Sequence, residues 1–87
     1  MEKLTQSPYV YAYPDNNSEK LNIEIKLPGV KKENINLKLE EDKFSVNARN
    51  KNKEYVGTYS TSYLIDPDRA VTKYSNNKLY VTAPMWM

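Results

Sequence analysis

The chain has 87 residues, enough for one domain at most, and its 13 Lys and Arg residues against 11 Asp and Glu residues give a net charge of +2. This small, mixed charge gives no reason to expect a nucleic-acid or membrane partner. Cys and His are both absent, which excludes disulfides and removes the usual general base and the commonest metal ligand. We therefore expect a protein that is not an enzyme and that binds no metal or cofactor.

The sequence has no candidate membrane segment, because no apolar run approaches the roughly 18 residues that a spanning helix needs. The N-terminal sequence MEKLTQSP lacks the apolar segment of a signal peptide. We therefore expect a cytoplasmic location.

A two-residue alternation of apolar and polar side chains is the dominant pattern. In chain order it predicts about seven strands, at residues 9–13, 21–27, 35–40, 44–49, 55–65, 70–74 and 78–82. Clusters of Pro, Asp and Asn between them predict turns, and Asn76-Asn77 predicts a tight hairpin because Asn tolerates positive φ angles. Short strands at this spacing, with no helical period, predict an all-β sandwich.

The connection after the second predicted strand reads LPGVKKEN. Pro28 has no backbone donor and ends the pairing after Leu27, while Gly29 permits a sharp turn. Val30 can then pack back as a plug while the polar residues cross the end of the sandwich. An ordinary connection between two strands accounts for this segment without any function.

Three segments also resemble the α-crystallin domain of small heat shock proteins. LPGVKKENI is similar to the motif that links two of its strands, GTYSTSYLI to its Gly-x-Phe-x-Arg-x-Phe-x-Leu strand, and YSNNKLYVTAP to its closing hairpin. The resemblance implies an immunoglobulin-like sandwich of two antiparallel sheets over residues 8–84, with residues 1–7 and 85–87 as short flexible ends. The structural residues that it implies are Leu27, Pro28, Gly29, Val30, Asn76 and Leu79.

The sequence departs from that family pattern in several places. Thr61 stands where the family usually has an arginine, and Asn77 and Lys78 replace a glycine and an apolar residue. The connection at residues 50–54 is too short to reach a partner subunit, because an extended chain spans at most about 3.5 Å per residue. We expect the sandwich alone, without the terminal arms that build large oligomers, either as a naturally minimal protein or as part of a longer one. Such a bare sandwich is also similar to the CS domain of co-chaperones.

We expect two interaction surfaces, of which the first follows from the resemblance. The resemblance implies a groove for apolar side chains of tails or client polypeptides between residues 35–40 and 70–74, lined by Leu37, Leu39, Ala70, Thr72 and Tyr74. The alternative is that Leu37 and Leu39 are simply core residues. The second surface is the long strand at residues 55–65: we expect either a monomer or a homodimer formed by this strand, with Tyr55, Tyr59, Thr61 and Tyr63 as contacts.

The function that we expect is that of an ATP-independent chaperone, which binds unfolded or extended polypeptide at a sheet edge and groove. The alternative is a CS-like adaptor that docks on a specific ATPase or larger chaperone. The carboxylates at residues 40–42 and at Asp66 and Asp68 lie in predicted turns, where solvation accounts for them better than catalysis or cation binding. Lys51 and Lys53, beside Tyr55 and Tyr59, come nearest to a nucleic-acid pattern, but the low net charge argues against that partner.

Overall fold

The computed structural model describes residues 4–86, in which the chain forms strands and two short 3₁₀ helices, Lys32–Asn34 and Pro67–Arg69. The strands are β1 (Leu4–Gln6), β2 (Tyr9–Pro14), β3 (Lys20–Lys26), β4 (Ile35–Leu39), β5 (Lys43–Arg49), β6 (Lys53–Ser60), β7 (Val71–Ser75) and β8 (Lys78–Pro84). No helix in this part of the chain is long and apolar enough to span a membrane.

The strands form two sheets of four. The first sheet has the order β1-β6-β5-β4 and the second has the order β2-β3-β8-β7. All neighbouring strands are antiparallel except β1 and β6, which run parallel. The predicted all-β sandwich is therefore confirmed.

The core lies between the two sheets and is built from alternate residues of their strands. Leu21, Ile23 and Ile25 of β3 are buried on one side, and Phe44 and Val46 of β5 are buried on the other. Successive side chains of a strand point to opposite faces, so the two-residue alternation places the apolar set inward. Full burial of one such side chain stabilises the fold by about 1.5–3 kcal/mol.

The connection between β3 and β4 is held by the two turns beside it. Leu27 and Val30 are buried, and Gly29 has a φ of +69°, which strongly favours glycine. The amide of Leu27 donates to the carbonyl of Asn77 at 2.8 Å, and the Asn50 side-chain amide donates to the carbonyl of Pro28 at 2.9 Å. This connection is therefore part of the packed end of the sandwich.

The predicted hairpin at Asn76-Asn77 is confirmed. The two residues have φ angles of +52° and +63° and join β7 to β8. Positive φ at both central residues is the geometry whose twist matches that of the flanking strands.

The strand predicted at residues 55–65 is too long, because β6 ends at Ser60. Thr61 is buried and its hydroxyl donates to the carbonyl of Tyr63, while Ser62 adopts a φ of +63°. This bend takes the chain across to the second sheet, where Ile65 forms an isolated bridge with Met85. In the sequence Tyr59, Thr61, Tyr63 and Ile65 keep the two-residue spacing of a strand, and the pattern therefore did not reveal the bend, at which residues 62–64 are all exposed.

The ends of the chain also differ from the sequence prediction. Within the N-terminal stretch expected to be flexible, β1 forms a strand and pairs with residues 53–55 of β6. At the other end the amide of Trp86 donates to the carbonyl of Leu64 at 2.8 Å. Residues 1–3 and 87 lie outside the described residues.

Tyr59 carries a buried polar group without a partner. Its ring stacks on Phe44, with centroids 5.3 Å apart, and folds over Gly57, where any Cβ would collide with it. Within residues 4–86 the buried Tyr59 hydroxyl has no hydrogen-bond partner. An unsatisfied buried hydroxyl is a cost to folding.

We therefore expect Tyr59→Phe to raise the free energy of unfolding by about 1 kcal/mol, because the substitution removes that hydroxyl and keeps the ring. Urea unfolding followed by circular dichroism measures the change. A loss of stability at unchanged m-value would mean that the hydroxyl does have a partner.

Candidate functional site

A groove opens along the side of the sandwich where β4 and β7 lie. Both are edge strands, β4 of the first sheet and β7 of the second. The groove has a volume of about 480 Å³, which falls in the roughly 300–1,000 Å³ range of sites that hold small ligand groups. Its lining residues are Lys32, Ile35, Leu37, Leu39, Pro67, Asp68, Thr72, Lys73, Tyr74 and Leu79.

The floor and one wall of the groove are apolar. Ile35, Leu37 and Leu39 follow one another on the inward face of β4, and each is half-buried and packs on the core. Leu79 of β8 is 6% exposed and forms part of the floor. These side chains point between the sheets, but no further strand covers them within the described residues. The groove is therefore an open margin of the core.

The structure brings four of the five predicted groove residues together. The groove is lined by Leu37, Leu39, Thr72 and Tyr74. Ala70 packs against the core and does not line the groove. Leu37 and Leu39 both pack on the core and line the groove. The two alternatives for these residues, groove lining and core, therefore describe one arrangement.

Sequence reasoning missed part of the lining. Ile35 shares the alternation of Leu37 and Leu39, so the pattern itself could have found it. Pro67 and Asp68 lie on a 3₁₀ turn, whose position at the groove depends on the tertiary fold. Lys32 and Lys73 add two cationic side chains, so that the groove has charged groups beside an apolar interior.

Tyr74 ties one wall of the groove to the connection between β3 and β4. Its hydroxyl lies 2.6 Å from the carbonyl oxygen of Val30 and 3.0 Å from that of Leu27, and it donates to them. Burial raises the pKa of Tyr74 above its ordinary value of 10.0. The buried residues of that connection therefore help to fix the shape of the groove.

The predicted dimer contacts do not form a common surface. Tyr55 and Thr61 are 4% and 2% exposed, and Tyr59 folds inward onto Phe44. Of the four contacts, Tyr63 alone is well exposed, at 47%. This assignment needs correction because the strand alternation places Tyr55 and Tyr59 in the core and the bend after Ser60 buries Thr61.

An edge remains on β6 beyond the reach of β1. Pairing with β1 stops at Tyr55, so residues 56–60 have a strand partner only on the β5 side within the described residues. Such an edge can pair with another chain. The homodimer therefore stays a prediction, with residues 56–60 as the stretch of β6 that is available for it.

The comparisons with known proteins point to one family. The model of the Hsp20/alpha crystallin family matches residues 14–86. No curated protein is significantly similar to the chain in sequence.

Solved structures share the fold at low sequence identity. Heat shock protein 16.0 from Schizosaccharomyces pombe is 21% identical with a TM-score of 0.76, over 92% of this chain and 87% of that one. The hspA protein from Xanthomonas axonopodis is 14% identical with a TM-score of 0.78, over 92% and 94%. A mutant of hsp14.1 from Sulfolobus solfatataricus P2 is 17% identical with a TM-score of 0.79, over 93% and 73%.

We expect Tyr74→Phe to lower the free energy of unfolding by about 1–2 kcal/mol, because it leaves the carbonyls of Leu27 and Val30 without this donor. Urea unfolding measures the change, with Tyr63→Phe at an exposed ring as the matched control. Equal stability of the two variants would contradict the role assigned to the Tyr74 hydroxyl.

Tyr74→Phe should also change how the stability of the fold depends on alkaline pH. Burial raises the pKa of folded Tyr74, so the stability that this group contributes is fully present below about pH 10 and is lost as the pH rises through the folded pKa. We expect Tyr74→Phe to lose less stability than the wild type as the pH rises above about 10. An equal loss of unfolding free energy in the wild type and the variant would show that Tyr74 does not contribute to the pH dependence of stability.

Proposed function

The chain belongs to the Hsp20/alpha crystallin family, and from that premise we propose that it acts as an ATP-independent chaperone domain. In this proposal the groove between β4 and β7 holds an extended or partly unfolded polypeptide. Binding consists of burying apolar side chains and needs no covalent chemistry.

The observation that carries the proposal is the uncovered apolar wall of β4. Ile35, Leu37 and Leu39 remain half-buried at the margin of the core. Each Å² of apolar surface removed from water is worth about 25 cal/mol. Apolar side chains exposed by an unfolding polypeptide are the natural complement of this wall.

The strand edges add a second source of binding energy. β4 and β7 each have a neighbour on one side in their sheets, so their other edges present backbone N–H and C=O groups. An extended peptide can add to such an edge as a further strand, which gives main-chain hydrogen bonds and sets its register. Because the backbone groups are the same in every sequence, this mode suits partners of varied sequence.

The alternative, a CS-like adaptor that docks on a specific ATPase or larger chaperone, remains a prediction. No feature of the groove favours it. An adaptor would bind one folded partner at a fixed stoichiometry, whereas the proposed chaperone binds a range of unfolded chains. A cytoplasmic location is part of the same proposal.

We expect the wild-type protein to suppress the light scattering of a heat-labile enzyme, and Thr72→Arg to suppress it less. Thr72 is exposed and lines the groove, so a long cationic side chain at this position covers apolar surface without disturbing the core. Covering about 60 Å² of apolar groove surface makes the free energy of polypeptide binding less favourable by about 1.5 kcal/mol, which weakens the affinity about tenfold.

The matched control is Asn47→Arg, which adds the same charge at an exposed position of β5 away from the groove. Circular dichroism checks that both variants are folded. Wild-type protein that leaves the scattering unchanged would contradict the chaperone role. An equal effect of the two variants would instead contradict the assignment of the groove.

A further inference from the structure

The outer face of the second sheet, which points away from the core, is rich in tyrosine. On β2 the outward residues Tyr9, Tyr11 and Tyr13 alternate with the inward Val10 and Ala12. The three tyrosines are 57%, 50% and 45% exposed. They form a column along the edge of the sheet, and the ring centroids of Tyr9 and Tyr11 lie 4.9 Å apart.

The strand register places lysines beside these rings. Across the sheet one row of outward residues reads Tyr9, Lys26 and Lys78, and the next row reads Tyr11, Glu24, Tyr80 and Lys73. Lys26 and Lys78 are therefore direct cross-strand partners, about 4.8 Å apart at the backbone. Like charges in this position repel each other, which costs stability unless an anion lies between them.

The lysines of this face have no acidic partner in the structure. Within residues 4–86 the ion pair joins Lys43 to Glu40, on the other sheet, and Lys26, Lys73 and Lys78 form none. The carboxylate of the face, Glu24, accepts a hydrogen bond from the Tyr13 hydroxyl at 2.6 Å. Lys26, Lys73 and Lys78 outnumber Glu24 on this face, so the patch has a net positive formal charge that can attract an anion from outside the chain.

The rings are held in place by one another. The Tyr11 hydroxyl donates to the Tyr9 hydroxyl at 2.9 Å, and the Lys26 ammonium lies 5.3 Å from the centroid of the Tyr9 ring. A surface whose rings are already positioned loses little side-chain entropy when it binds a ligand.

We propose that the outer face of the second sheet binds single-stranded nucleic acid. Its phosphates would lie at Lys26, Lys73 and Lys78, and its bases would stack on Tyr80 and on the tyrosine column of β2. Aromatic rings beside a cationic track are the general means by which proteins hold single strands. An acidic peptide would use the lysines but has no flat groups to match the rings, and the rings therefore favour a nucleic acid.

The arrangement of this face in the fold accounts for the fact that the sequence alone did not predict a nucleic-acid partner. Lys26, Lys73 and Lys78 are not consecutive in the chain, and the net charge of +2 averages them with all the acidic residues, of which Glu24 lies on this face. The sheet brings them together on adjacent strands. The face shares Lys73 with the groove between β4 and β7, whereas Lys26, Lys78 and the tyrosines of β2 do not line that groove.

The test is fluorescence anisotropy of a labelled oligouridylate of about 12 nucleotides, within the roughly 4–16 nucleotides that such surfaces cover. Each phosphate contact contributes about −0.7 to the slope of log affinity against log salt. We expect the Lys26→Gln/Lys78→Gln variant to flatten that slope by about 1.4 and to weaken binding about 25-fold at about 0.1 M salt.

The matched control is Lys38→Gln/Lys51→Gln, which removes the same charge from exposed positions outside this face and should change the affinity less than about twofold. Tyr11→Leu should weaken binding at least about fivefold through lost stacking, whereas Tyr63→Leu, at an exposed ring elsewhere, should not. Absence of wild-type binding at about 0.1 M salt, or equal losses in the variants and their controls, would overturn the proposal. Displacement of the oligonucleotide by an equal concentration of oligoglutamate would overturn it in favour of an acidic peptide.

Discussion

The open side of the sandwich is the constraint on which the rest of the structure depends. The strand orders leave β4 and β7 as edges on the same side, and neither pairs with the other. The inward side chains of β4 therefore end at a groove instead of beneath another strand. A sandwich with this topology keeps part of its core accessible, and apolar surface that complete burial would remove from water stays exposed at the groove.

The shape of this open margin is fixed by polar contacts behind it. Tyr74 reaches from the groove wall to the carbonyls of Leu27 and Val30, and Asn77 holds the same connection through the Leu27 amide. Pro28 is fixed from the other side by Asn50. Three turns that are distant in sequence thus meet at one end of the sandwich, so a motif that reads as a simple strand connection also supports the proposed site.

Much of the fold could be predicted from the sequence because the alternation is strong where both sheets bury one face. β3, β5 and β8 follow it closely, with buried residues at every second position. β1 could not be predicted, since three exposed residues carry no pattern and their parallel pairing with β6 is a long-range contact. The bend at Ser62 was hidden because Thr61 and Ile65 are both buried on either side of it, as they would be in a continuous strand.

The candidate site was only partly predictable for a related reason. Alternation identifies which side chains point inward, but it was the family resemblance that pointed to a groove, and Leu37, Leu39, Thr72 and Tyr74 are among its lining residues. It carries no information on where a turn packs, so Pro67 and Asp68 were missed, and Ala70 was included although it belongs to the core margin behind the groove. The lysines and tyrosines of the second sheet were missed as a surface because cross-strand register is set by the whole fold.

The most direct test of the account is a nuclear magnetic resonance titration of the backbone amides with an unlabelled, extended apolar peptide. If the open margin of the core is the binding surface, the shifts concentrate on Ile35–Leu39 and Val71–Ser75, with smaller changes at Leu79. Shifts confined to β2 and β3, or none at saturating peptide, would contradict the claim that the uncovered side of the sandwich receives polypeptide.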